Sequence, residues 1–329
     1  MANMHPFHDP EWEAVLARVG STSAAYTAGL LLFLEEREDL SVTAVAGDEP
    51  VLLHSRLRGL SVRAPFRRSG AVHLVDPLPG DAGRLVRSAM GEKSELPRHF
   101  RKTAEAPSAI HILPAEEAKS LVSRAVEELT RLRPGVTAVA RWVGFEQLVQ
   151  IGQPGRPVSR ETRRSARLRL EATLTGGEIE ASAVAEKILT RGRGKDQTAF
   201  TVLMEEVVPA LAGEVAGRVM QRLGARQAPA GEVVIVLAPG VGGVLMHEIV
   251  GHALEADTVR NGSWLAASGG ATVASKKLTI VDDPRRGRAA WTIDDEGEEA
   301  LATPLLLNGR VANWLHDQVS ARRAGRKPT

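Results

Sequence analysis

The 329-residue sequence contains no cysteine. Disulfides, thiolate metal sites and cysteine nucleophiles within this chain are thereby excluded. Aromatic residues are scarce, at 4% with a single tyrosine, so a core must be built from Leu, Val, Ala and Ile. Neither charge sign dominates: 42 Lys and Arg stand against 40 Asp and Glu, a formal net charge of +2. So small an excess, spread along the chain, argues against a nucleic-acid partner. Long apolar runs are also lacking. The longest, Val233 to Met246, is broken by Pro239 and three glycines and falls short of the ~20 residues needed to span a bilayer. Met1 to Val15 carries His, Pro, Asp and Glu without an apolar stretch, unlike a signal peptide. These absences point to a cytoplasmic protein without a membrane segment.

What remains is ordinary globular composition, with 43% hydrophobic and 25% charged residues. The length suits two or three domains. Glu11 to Val19 reads as a short helix. Gly29–Leu34, Leu40–Ala46, Val51–His54, Leu57–Val62 and Ala71–Val75 read as short strands of a small antiparallel sheet, with Gly47-Asp48-Glu49-Pro50 as a turn. Arg84 to Pro107 is polar and reads as a connection. Ala118, Leu121, Val122, Ala125, Val126 and Leu129 form one helical stripe, stopped by Pro134-Gly135. Val136–Ile151 and the alternating Leu168 to Leu174 stretch predict strands, the latter turning at Thr175-Gly176-Gly177-Glu178. Arg191 to Lys195 reads as a solvated basic loop. Val208, Leu211, Val215, Val219 and Leu223 predict a second helix, and Gln227 to Gly231 a linker.

The last hundred residues differ in character. Glu232 to Leu237 is a continuous apolar run, predicting a strand buried on both faces. A glycine turn at 240–243 leads into a helix from Val244 to about Leu254. Short strands are expected at 271–274, 278–281, 289–293 and 304–307, and Asn308-Gly309 signals a hairpin. The expected class is α+β: small antiparallel sheets with packed helices, followed by a mixed strand–helix–strand region. The expected units are residues 1–106, 107–226 and 227–329.

The helix of that last unit carries His247, Glu248 and His252. Imidazole is a preferred zinc ligand, and a neighbouring carboxylate can take a proton from a metal-activated water. The spacing is unusual. Histidines four apart lie about 40° apart around an α-helix, whereas five apart gives about 140°. A regular helix would point these imidazoles away from each other. One extra residue in the turn, a π-bulge near Gly251, would bring them together. Further acids follow at Glu255, Asp257, Asp282, Asp283, Asp294, Asp295 and Glu296, each readable as a surface or capping carboxylate.

The segments Val236 to Gly240 and Val244 to Asp257 resemble the active-site region of the TldD/PmbA family, zinc metallopeptidases once called modulators of DNA gyrase. Val281-Asp282-Asp283-Pro284, Ile293 to Gly297, Leu307-Asn308-Gly309 and Asp317 to Arg322 follow in the family's order. The resemblance implies zinc held by the HExxxH histidines, here His247 and His252, with Glu248 as general base. It further implies unfolded peptides as substrate, bound as an added strand, and a TldD-type subunit that pairs with a related non-catalytic subunit or with itself. The family's third zinc ligand is a downstream cysteine, which this sequence lacks. The C-terminal part of the family pattern is therefore expected to be missing. Glu255, Asp257 and His316 are candidates for the third ligand, although His316 reads more naturally as a surface residue.

Three functions compete on this reading: a zinc-dependent peptidase, a catalytically inactive family member that binds peptide or a partner subunit, and phosphate binding at the Gly240-Val241-Gly242-Gly243 turn. The third is disfavoured because that turn matches neither GxGxxG nor GxxxxGK[ST].

Overall fold

The computed structural model describes residues 29–64, 70–75, 82–89, 113–177, 179–189, 200–268, 270–286 and 290–329. The expected helix at 11–19 and the basic loop at 191–195 lie outside them. The fold is α+β. Its main body is a six-stranded antiparallel sheet of β1 (Leu31–Val45), β2 (Val51–Ala64), β3 (Gly70–Val75), β4 (Thr137–Gly152), β5 (Ser159–Gly176) and β6 (Ile179–Leu189). The strand order is β3-β2-β1-β4-β5-β6. Strand β1 pairs with β4 from Leu32–Gly152 to Val45–Val139, so residues on both sides of position 106 share one sheet.

The four short strands expected between Gly29 and Val62 are two long ones. The charged stretch Glu35 to Asp39 does not interrupt β1, because ladder pairing needs only backbone groups. Along β1, alternate residues face one buried side: Leu32, Leu34, Leu40, Val42 and Ala44 are all under 5% exposed. Helix α1 (Ala82–Ala89), in a stretch read as a connection, covers Leu32 and Leu34 with Leu60 and Val62. The far end is covered by α2 (Ala115–Leu132) and α3 (Val208–Leu223), which pack Leu121, Val122, Leu129, Val215 and Val219 onto Val42, Trp142 and Leu168. Between these apolar clusters lie Glu36, Glu38 and Glu146, buried and paired with Arg58, His54 and Arg164. Burying carboxylates is tolerable only with such partners.

A helical turn at Phe200–Val202 and a π-turn at Leu203–Val207 lead into α3, and the remaining elements are α4 (Val241–Met246), a π-turn at His247–Gly251, a 3-10 turn at His252–Leu254, α5 (Ala256–Arg260), a 3-10 turn at Ala266–Ser268, β7 (Ile280–Asp282), β8 (Thr303–Leu307), β9 (Arg310–Val311) and α6 (Gln318–Ala324). Strands β7, β8 and β9 form a second antiparallel sheet. Its core is Val250, Leu254, Leu265, Leu305 and Leu306. The stretches at 271–274 and 290–293 supply isolated bridges, Thr272–Arg310 and Ile293–Glu299, instead of strands. The Asn308-Gly309 hairpin forms as expected, with positive φ at both residues.

Two expectations fail in this region. Residues 232–237 are not a buried strand: they form no hydrogen-bonded ladder, and Val234, Ile235 and Val236 are 96%, 72% and 91% exposed. An apolar run encodes a preference for burial without supplying a neighbour, and among the described residues none flanks it. His316 is no surface residue: it is 7% exposed, and its Nδ1 lies 3.2 Å from the Ser320 hydroxyl. Among the described residues no helix is long and apolar enough to cross a membrane.

A Cβ at Gly309 would sit 2.2 Å from the Ala274 carbonyl oxygen, at φ +77°. Gly309→Ala should therefore lower the urea midpoint, whereas Gly213→Ala in α3, with open space around it, should leave it unchanged or raise it by up to ~1 kcal/mol of stability. Equal effects would contradict the packing of this hairpin. His316 makes a second prediction. Burial, reinforced by Arg326 and opposed by Asp317, holds its imidazole below the ordinary histidine range. The unfolded chain then takes up the proton first. This stabilisation is complete above the ordinary value of ~6.5 and is lost as pH falls through it toward the lower folded value. Between pH 7.5 and 5.5 the urea midpoint of His316→Gln should fall less than that of the wild type; identical falls would contradict the assignment.

Candidate metal centre

The glycine turn at 240–243 starts the helix that carries the site. Gly240, at φ +90°, is its N-cap, a conformation that a side chain would strain. The α-helical pattern continues to His247, whose N–H reaches the Gly243 and Val244 carbonyls. It then widens. The His252 N–H donates to the His247 carbonyl, five residues back. This is the extra residue that the His247–His252 spacing demands. The imidazole rings accordingly meet, with centroids 4.5 Å apart and planes at 69°. Gly251 itself is ordinary, with φ −55° and ψ −64°, and an added Cβ would make only a 3.6 Å contact with His247. The widening therefore does not rest on a glycine conformation.

One ligand atom from each of His247, Glu248 and His252 lies within 4.8 Å of the others, and all three side chains are exposed. They are held from below: Val250 and Leu254 are buried in the second core. The 3-10 turn ends at Glu255, which turns extended and is locked by the Leu315 N–H to the Leu254 carbonyl (2.8 Å) and the Ala256 N–H to the Leu315 carbonyl (2.9 Å).

None of the three candidates for a third ligand joins this group. Glu255 Oε1 lies 2.8 Å from His252 Nδ1. Asp257 Oδ1 accepts from the Thr258 N–H, and His316 faces Ser320. Burial and the adjacent Asp283 push the Asp282 carboxyl above the usual range, while the positive charge available to His247 pulls it back. Asp283 is instead held down, against the cost of burial, by Arg285 and Arg286.

The acidic run at 294–296 serves architecture. Asp294 Oδ1 accepts from the Glu296 and Glu298 N–H groups, and Glu296 Oε2 from the Gln318 N–H. Burial raises both carboxyls. The loop is bolted to the main sheet by Arg163, which bonds Asp295 and the Ile293 carbonyl, by Glu161, which accepts from Thr292, and by Arg156 on Glu298. Sequence reading missed these anchors: polar residues at the end of a half-buried strand give no sign of what they meet 130 residues later. A cavity of about 690 Å³ opens along the seam, lined by Arg63, Arg163, Trp291, Asp294, Glu296 and Glu255. Glu255 thus links the cavity wall to His252.

The family described as PmbA/TldA metallopeptidase C-terminal domain matches residues 230–329. A metalloprotease of Methanothermobacter thermautotrophicus is 34% identical over 132 residues, 40% of this chain and 29% of that protein. The metalloprotease TldD homolog of Haemophilus influenzae is 39% identical over 117 residues, 35% of this chain and 24% of the relative. A zinc metalloprotease TldD homolog of Saccharolobus solfataricus is 31% identical over 115 residues, 34% and 26% of the two chains. The chain thus matches about a quarter of the length of these curated relatives. Among solved structures, a modulator of DNA gyrase from Bacteroides thetaiotaomicron superposes with a TM-score of 0.74 at 15% identity, over 99% of this chain and 76% of the other. TldE from Thermococcus kodakarensis gives 0.68 at 14% identity, over 97% and 72%. At these identities the structures establish the fold alone; what matches the TldD/PmbA family is residues 230–329, the segment that carries His247, Glu248 and His252.

Proposed function

We propose that this chain is a zinc-dependent peptidase acting on unfolded peptides, with His247 and His252 as metal ligands and Glu248 as general base. The observation that carries this reading is the π-turn, which brings together two imidazoles that a regular helix would point apart, with the Glu248 carboxylate beside them. The donor set suits zinc, which takes imidazole and carboxylate ligands. Zinc, when bound, would supply Lewis-acid activation of a water molecule and of the scissile carbonyl. Glu248, next in sequence to His247, accepts the proton of the attacking water at its carboxylate and returns it to the leaving amine nitrogen. The exposed position of all three groups leaves room for an extended chain to approach. The likeness to TldE supports a related family subunit, or a second copy, as partner. The absence of cysteine is compatible with work in the cytoplasm.

One observation favours a second reading, a family member that binds peptide or a partner without cleaving. Val233 to Leu237 is an unbroken run of exposed apolar residues, and Val241, Val244 and Ile249 are exposed as well; exposed apolar surface is a feature of interaction sites. The same experiment separates the two. Purified protein should hold close to one equivalent of zinc, lost in His247→Ala and in His252→Ala. Glu248→Ala should keep its zinc and cleave an unfolded peptide at least ~100-fold more slowly. Equal cleavage by Glu248→Ala and wild type would overturn the mechanism. Zinc-free wild type that still captures peptide would establish the second reading.

A further inference from the structure

Glu255 sits one turn beyond the metal-binding pair, and its backbone is clamped on both sides. The Leu315 N–H bonds the Leu254 carbonyl and the Ala256 N–H bonds the Leu315 carbonyl, forming a parallel bridge at Glu255. Helical geometry stops there, with φ −65° and ψ 133°. The side chain therefore leaves a fixed point, and its Oε1 lies 2.8 Å from His252 Nδ1. A carboxylate oxygen can only accept, so this bond places the ring proton on Nδ1 and leaves Nε2 with its lone pair. We infer that Glu255 is a positioning residue: it fixes the tautomer and ring orientation of His252, presenting Nε2 to the metal, and is not itself a ligand. This rests on the peptidase reading for its metal, but not for the tautomer.

The plain alternative is a half-exposed ion pair, with side chains 50% and 41% exposed, of a kind that contributes little. Three properties set Glu255 apart from such a pair. Its backbone is bridged, its partner is a proposed ligand, and the nitrogen it occupies leaves only the other one for coordination. Partners of this kind orient ligating histidines elsewhere, and their loss typically costs about 10- to 100-fold in metal affinity.

The test uses the full chain as wild type, Glu255→Gln and Glu255→Ala, each first checked for a native thermal transition. Chelator competition should show zinc affinity reduced about 10- to 100-fold in Glu255→Ala and largely restored in Glu255→Gln, whose side-chain oxygen still accepts from Nδ1–H. The cobalt-substituted proteins should keep the same visible absorption bands, since the ligand set is unchanged. Wild-type affinity in Glu255→Ala would reduce the contact to a surface pair. Altered cobalt bands in Glu255→Gln would make Glu255 a ligand. Either result overturns the inference. A metal-free readout separates this inference from the peptidase reading. In nitrogen-15-labelled protein without zinc, at a pH where imidazole is neutral, His252 should carry its proton on Nδ1 in the wild type and shift toward Nε2 in Glu255→Ala. That shift should appear even if the wild type proves unable to bind zinc; an Nε2–H tautomer in the wild type would contradict the inference directly.

Discussion

The π-turn at His247–Gly251, closed by the bond from the His252 N–H to the His247 carbonyl, sets the angle at which both imidazoles leave their helix. With the ordinary four-residue bond, the ring directions would differ by about 140°, and Glu248 would sit beside one histidine only. With the five-residue bond the rings touch. Wide turns of this kind are uncommon inside helices and are found frequently at functional sites. The chain absorbs the irregularity by ending the helix at once. The 3-10 turn at 252–254 closes it, and the bridge to Leu315 prevents the distortion from relaxing along the helix.

The rest of the molecule holds that turn in place. The six-stranded sheet is stabilised by helices on one face, and its β4–β5 end carries Gln153, Arg156, Glu161 and Arg163 to the loop at 291–298. That loop reaches α6 through Glu296 and Gln318, and Leu315, just before α6, returns to Glu255. Hydrogen bonds from the sheet to the loop and to Gln318, and the short chain segment from Gln318 back to Leu315, thus connect the sheet to the bridge at Glu255. The acidic residues along this connection, readable in sequence only as surface or capping carboxylates, are occupied with backbone N–H groups and arginines.

Much of this was legible in the sequence wherever local chemistry decides the outcome. The Gly47 to Pro50 turn, the Ala118 to Leu129 stripe and the Asn308-Gly309 hairpin are set by residues close together in the chain, and each forms. The His247–His252 spacing was informative because it conflicts with a regular helix, and the conflict is resolved by the wider turn. Long-range partners were not legible. Nothing local distinguishes Arg163, which anchors a loop, from a solvated arginine. Val233 to Leu237 misled for the converse reason: its composition asks for burial, and nothing in the described structure meets the request. Charged residues at 35–39 concealed the continuity of β1, because buried ion pairs with β2 satisfy what apolar periodicity cannot describe.

The central claim is that this wide turn makes one metal site from two imidazoles. X-ray absorption at the zinc edge of the zinc-loaded protein tests it most directly. The account predicts two imidazole ligands, with Zn–N distances of about 2.0–2.1 Å and the outer-shell scattering of histidine rings. A spectrum explained by oxygen ligands alone, or by a single imidazole, would contradict it.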